Sequence, residues 1–126
     1  MKYFWCAALL LLALGLGCVL AVQRVGCVSD EIAQLLEAAQ EAARAEDMAE
    51  TLRQVDRASV CWERAQGFLS SVLRHAETDE LSRQFESLRQ YVLLEDREEA
   101  ICRSAELAAL LRHLKEMEQP YYYNFL

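Results

Sequence analysis

The longest uncharged segment of this chain lies at its start. Residues 4–22 contain no charged side chain, and seven of these nineteen residues are leucine. As an α-helix the segment is about 28 Å long, which matches the hydrocarbon core of a bilayer. Tyr3, Phe4 and Trp5 stand at its beginning, where aromatic rings suit the headgroup region. The sequence therefore predicts a transmembrane helix over residues 4–22, within an anchor of residues 1–27, and the lipid bilayer as a partner.

A cleaved secretory signal peptide is the alternative interpretation of this segment. Apolar stretches of signal peptides are typically about 7–15 residues long, so this run is longer, although the small residues near Gly17 and Ala21 offer cleavage sites. Lys2 precedes the run and Arg24 follows it, so the positive-inside rule separates the two orientations only weakly. We expect a single-pass protein of the cell membrane whose remaining chain lies outside the cytoplasm.

The rest of the chain has the composition of a helical domain. Only Gly67 and Pro120, of four Gly and one Pro in the whole sequence, lie after residue 27. All-β folds need more turn residues than that. Apolar residues recur at steps of three and four, and the links between these stretches are short, so neighbouring helices should be antiparallel. The predicted fold is all-α: a transmembrane helix followed by an up-down bundle of three to four antiparallel helices over residues 28–119. Helical hairpins of the tetratricopeptide type are the nearest alternative.

Capping residues mark where the helices of this bundle should begin. Glutamate follows Asp47 and Asp96 by three residues, which is the spacing of a capping box. Trp62 lies on the apolar stripe of the helix after Asp47, so we expect it in the core. The expected helix starts, in chain order, are Ser29–Asp30, Asp47, Thr78–Asp79 and Asp96. The first of these helices is expected to run on from the membrane helix, with a weak point near Gly26.

Charge excludes one class of partner. Residues 28–126 carry eleven basic and twenty acidic side chains, a net charge of −9. This charge repels phosphate backbones, so nucleic acid is not expected as a partner. It also repels anionic lipid, so the domain should stand off the bilayer surface.

Several of these features together resemble a family of short bacterial proteins, mainly from anaerobic Gram-positive bacteria, that is known only as a domain of unknown function. Its members have an N-terminal membrane helix, a Trp in the middle helix, a His-x-Glu element, a Tyr that closes the next helix and an Asn followed by an aliphatic or aromatic residue at the end. The matching residues here are Trp62, His75 with Glu77, Tyr91, and Asn124 with Phe125. The resemblance covers nearly the whole chain, and the three tyrosines in the tail, residues 120–126, make it more aromatic than the family pattern. The resemblance implies this architecture and membrane attachment. It does not imply any particular activity.

The densest cluster of potential metal or acid–base groups is His75, Glu77 and Asp79. Residues two apart spread around a helix, whereas zinc sites need three or four convergent ligands. We therefore interpret His75 as the end of one helix, near the negative end of its dipole, and the two acids as the start of the next. His113 and Glu116 are interpreted as a solvated face. We predict no catalytic, cofactor-binding or metal-binding residue.

The five cysteines have no C-x-x-C spacing. Cys61 and Cys102 are expected to be buried free thiols, with a disulfide between them as the alternative outside the cytoplasm.

The leading functional hypothesis is a non-catalytic, membrane-tethered helical module that binds another envelope or membrane protein. A soluble domain secreted after cleavage is one alternative. An enzyme or metal protein that uses His75 is the other.

Overall fold

The computed structural model describes residues 1–72 and 74–118 of the chain. These residues form four helices, and the described part contains no strand. The helices are α1 (Lys2–Arg44), α2 (Met48–Val72), α3 (His75–Leu93) and α4 (Arg97–Glu118). Both α1 and α3 pack against α2 and α4, and short links join successive helices, so the bundle is a closed up-down arrangement. The prediction of an all-helical fold is confirmed for the described residues.

The two halves of α1 have different surroundings. Residues 1–20 are exposed all around the helix, whereas seven residues from Val25 onward face the core. The core residues follow one another at helical steps: Val25, Ser29, Ile32, Ala33, Leu36, Ala39 and Ala43. We call residues 2–22 the stalk, and the end of the bundle from which it leaves the stalk-side end. By its length and composition α1 is apolar enough to cross a membrane, with an 18-residue window of mean hydropathy 2.5 that the bundle does not bury at all.

The prediction of a helix start at Ser29 and Asp30 is wrong, whereas the expectation that this helix runs on from the N-terminal apolar helix is confirmed. Ser29 is buried in the middle of α1, and the helix passes Gly26 without a break. Adding one residue to an existing helix gains a hydrogen bond without a new nucleation cost, so a single glycine does not interrupt it. Asp30 accepts a 2.6 Å hydrogen bond from Lys115 Nζ on α4, so a polar side chain that looked like a cap joins two helices instead.

The links after α1 and after α3 share one design. Glu46 (φ 62°) and Glu95 (φ 56°) occupy the left-handed region. The N–H groups of Glu46 and of the following Asp47 donate to the carbonyls of Ala43 and Ala42, which is the hydrogen-bond pattern of a Schellman motif. Glu95 and the residue after it repeat this pattern at the end of α3.

Each left-handed glutamate is followed by the aspartate that caps the next helix. Asp47 Oδ1 accepts the backbone N–H of Glu50 at 3.1 Å, and Asp96 Oδ1 accepts that of Glu99 at 3.3 Å. The capping-box spacing therefore located both of these helix starts.

Candidate functional site

Trp62 lies in the core, between α2 and α3. It is 2% exposed, and its indole Nε1–H donates to Ser82 Oγ at 2.9 Å. Its ring stacks on that of Phe85, with centroids 6.0 Å apart and planes 21° apart. Both contacts are with α3, so Trp62 joins two helices rather than presenting itself to a ligand.

His75 is placed at the opposite kind of helix end from the one predicted. It is the first residue of α3, and it is exposed, so it sits at the positive end of the helix dipole. Thr78, predicted as a cap, is buried one turn into α3, where its hydroxyl donates to the His75 carbonyl at 2.9 Å. The prediction failed because Arg74, whose side chain makes no capping hydrogen bond, occupies the N-cap position.

The His75, Glu77 and Asp79 side chains do not converge. His75 and Asp79 are exposed and Glu77 is half-buried on the first turn of α3. Within residues 1–72 and 74–118, no three His, Cys, Asp or Glu side chains are grouped so that they could hold a metal ion.

A shallow apolar groove of about 300 Å³ does run between the start of α3 and the end of α4. Leu81, Leu110 and Leu114 line its floor, and Glu77 and His113 stand on its edge. It lies at the stalk-side end, because Lys115 beside it bonds to Asp30 on α1.

Tyr91 belongs to the last turn of α3. Its half-buried ring lies under the Arg103 guanidinium, with Cζ 5.6 Å from the ring centroid, and its carbonyl accepts the N–H of Asp96 at 3.0 Å. Tyr91 therefore connects the α3–α4 link to α4. The other two residues that match the family pattern, Asn124 and Phe125, lie outside the described residues, as does the whole tail over residues 120–126.

The five cysteines are all free. Cys61 is half-buried between α2 and α1, with Sγ 3.9 Å from Glu31 Oε1. Cys102, predicted to be buried, is exposed, because the buried face of α4 passes through Ala100 and Ser104 instead. The negative charge of Glu106, whose carboxylate lies 3.7 Å from Sγ, raises the pKa of the Cys102 thiol above its usual value.

A second pocket, of about 210 Å³, opens between α1 and α2 at the stalk-side end. Two arginines, Arg24 and Arg64, stand at its edge, and Phe68 forms part of its floor. The Arg24 guanidinium lies over the face of the Phe68 ring, with Cζ 5.5 Å from the centroid. Glu31 is the acidic residue of the lining.

Sequence reasoning did not find this pocket, or the ion pairs that tie the bundle together. Lys115 and Asp30 are 85 residues apart, and Arg89 and Asp56, which pair at 2.9 Å, are 33 apart. No spacing rule connects partners at such separations, since helical periodicity reports only neighbours three or four residues away.

Comparison with known families matches residues 19–124 to one family, described as "Domain of unknown function (DUF4363)". The match covers more than half of the chain, and the chain belongs to this family. The resemblance drawn from the residues, to a domain-of-unknown-function family of short helical proteins, is confirmed at that level. No curated protein and no solved structure matches the chain.

Proposed function

We propose that this member of the DUF4363 family is a single-pass membrane protein whose stalk crosses the bilayer and whose helical bundle acts by binding another membrane or envelope protein. The observation that supports the anchor is the contrast along α1. Its leucine-rich first half has no protein packed around it, while its second half forms one wall of the bundle core. An apolar surface of this size is unfavourable in water, at roughly 25 cal/mol per Å², and favourable in lipid. The continuous helix joins the bundle rigidly to the membrane.

Membrane extraction tests the anchor. Leu11 and Leu14 are 71% and 65% exposed on the stalk, and replacing both with Arg places two charges in the hydrocarbon core, at a cost of about 2.5–3.5 kcal/mol each. We expect wild type to stay in the membrane pellet after alkaline carbonate washing and the double variant to leave it. The matched control replaces Leu93 and Leu94 with Arg. These two leucines are 48% and 74% exposed at the far end of the bundle, so the control should stay in the pellet like wild type. If the control and the stalk variant partition alike, the stalk is not the anchor.

Thiol labelling tests on which side the bundle lies. The Ala45 side chain is exposed in the link between α1 and α2, so Ala45→Cys in a chain without its native cysteines gives an accessible reporter. We expect a membrane-impermeant maleimide to label it in whole cells, because Lys2 leads the span and should stay inside. Labelling that appears only after lysis would reverse the orientation.

The secreted alternative predicts a shorter mature protein. Cleavage after Ala21 would leave every residue of the bundle core in place, since that core begins at Val25. The intact mass of the protein purified from cells therefore distinguishes the two proposals, and we expect the mass of the uncleaved chain.

We propose binding rather than catalysis as the bundle's role. Affinity purification from membranes, with the intact chain and a fragment of residues 25–126 compared, should recover a stoichiometric protein with both forms. If neither form retains a stoichiometric partner, the binding hypothesis fails. Elemental analysis of the same preparations tests the metal alternative, for which one equivalent of bound metal, lost in a His75→Ala variant, would be the supporting result.

A further inference from the structure

We propose that the stalk-side pocket between α1 and α2 binds the phosphate group of a membrane phospholipid, held by Arg24 and Arg64 over Phe68. This inference rests on the proposed function, because it requires the stalk to lie in the bilayer.

The first step is the height of the pocket above the hydrocarbon. The uncharged run ends at Val22, and a helix rises about 1.5 Å per residue, so Arg24 lies about 3 Å beyond the hydrocarbon boundary. Val28, also in the pocket lining, lies about 9 Å beyond it. The headgroup layer of each leaflet is roughly 5–8 Å thick. The Arg24 end of the pocket is therefore at the level of lipid phosphates, and the pocket extends from there to the edge of that layer.

The second step is the charge of the pocket. Within the described residues, neither Arg24 nor Arg64 has a carboxylate within salt-bridge distance. Seven of the other bundle arginines do pair with glutamate or aspartate: Arg44, Arg53, Arg83, Arg89, Arg97, Arg103 and Arg112. Glu31 lies seven residues beyond Arg24 on α1, about 10 Å further from the stalk. Because Phe68 meets Arg24 and Cys61 meets Glu31 across the two helices, Arg64 lies between these two levels, and both arginines are nearer to the lipid than Glu31 is. A guanidinium binds a phosphate through two parallel hydrogen bonds, which a Lys ammonium does not offer.

The third step is the apolar floor. Phe68 and Ala65 are half-buried in the lining, and Val28 faces them from α1. A phospholipid joins its phosphate through glycerol to apolar acyl chains, and this floor gives the first carbons of a chain a surface to cover. Inorganic phosphate and glycerol phosphate have no acyl chain, so the combination of a charged edge and an apolar floor favours a lipid.

The pocket also differs from the rest of the bundle, whose net charge repels an extended anionic surface. Two arginines that line one pocket, neither paired with a carboxylate of the described residues, attract a single phosphate without drawing the whole domain down. Arg24 and Arg64 therefore fix the angle at which the bundle stands on the bilayer.

Thermal unfolding of the full chain in a non-ionic detergent, followed by circular dichroism, tests this site. Added phosphatidylglycerol should raise the Tm of wild type by about 5 °C at saturation, because a ligand that binds only the folded state stabilises it. The Arg24→Gln, Arg64→Gln double variant should lose most of this rise. Arg57→Gln is the matched control. Arg57 is exposed on α2, the helix of Arg64, three turns from Phe68, so this variant should show the full lipid-dependent rise in Tm. Inorganic phosphate and glycerol phosphate at equal concentration should leave the Tm unchanged.

Two results overturn the proposal. One is an equal lipid-dependent rise in the double variant and wild type, and the other is an equal rise with free phosphate. Native mass spectrometry of bound lipid gives a second readout if the double variant has a lowered starting Tm, and Arg24→Lys, Arg64→Lys should then show fewer bound lipids than wild type. Carbonate extraction of the same proteins separates the two proposals. If wild type stays in the membrane pellet but either overturning result is obtained, only the lipid site is refuted and the anchor stands.

Discussion

Replacement of Trp62 tests the packing on which the bundle depends. The expected loss in free energy of unfolding for Trp62→Ala is a total within which two contacts can be identified. Removing a buried large aromatic side chain typically costs about 3–5 kcal/mol. Within that figure, the stacked pair with Phe85 accounts for about 0.5–1.5 kcal/mol, and the hydrogen bond to Ser82 for about 1 kcal/mol. Small domains have about 5–15 kcal/mol of stability in all. The variant should therefore lose about a fifth or more of its stability.

Urea unfolding of the full chain, followed by circular dichroism at 222 nm in a fixed detergent, measures this loss. Trp62→Phe separates the ring contact from the hydrogen bond, because it keeps a ring against Phe85 while it removes the N–H donor and part of the ring volume. Ser82 is half-buried and can turn to water, so we expect Trp62→Phe to cost about 1–2 kcal/mol. His75→Ala is the surface control, and it should change the stability by less than about 0.5 kcal/mol because His75 is exposed.

The relative stability losses of Trp62→Ala and His75→Ala test whether Trp62 is a core residue. If Trp62→Ala unfolds within 1 kcal/mol of wild type while His75→Ala destabilises the fold strongly, Trp62 does not join α2 to α3 as described. The function would then have to be sought around His75.

Three further predictions concern the links and the exposed thiol. Glu46→Gly should raise the Tm by roughly 4 °C, because glycine adopts the left-handed conformation without the steric cost of a side chain. The control is Ala49→Gly on the exposed face of α2, where glycine should lower the Tm by a similar amount. Arg97→Gln should lower the free energy of unfolding in urea by about 1 kcal/mol, since this partly exposed guanidinium donates to two carbonyls at the end of α1, each at 2.9 Å. A change below about 0.3 kcal/mol would show that Arg97 does not cap α1. In a chain whose other cysteines are alanine, Glu106→Gln should increase the rate of Cys102 alkylation at pH 8, because removing the negative charge lowers the thiol pKa and raises the thiolate fraction. An unchanged dependence of the rate on pH would show that Glu106 does not raise this pKa.

Local signals in the sequence determined the helices and two of their boundaries. Asp47 and Asp96 cap N–H groups three residues away, so the sequence around each carries all the information about that start. The uncharged run of α1 and the scarcity of Gly and Pro likewise act through composition alone. Even here one local signal was missed: the repeated Glu-Asp pair at positions 46–47 and 95–96 marks both left-handed links, but glutamate is not a residue that usually signals that conformation.

Tertiary structure decided everything that depends on a distant partner. Ser29 looks like a cap from its neighbours, yet it is buried inside α1 because α1 runs unbroken into the bundle. In α4 the apolar Ile101 is half-buried, while its neighbours Ala100 and Ser104 are fully buried. Periodicity gives the spacing of a buried face but leaves its direction to be set by the helices that pack on it. The pairing of Trp62 with Ser82 and the meeting of Arg24 with Phe68 join residues 20 and 44 positions apart. Such contacts are chosen by packing among whole helices, for which no short stretch of sequence contains the information.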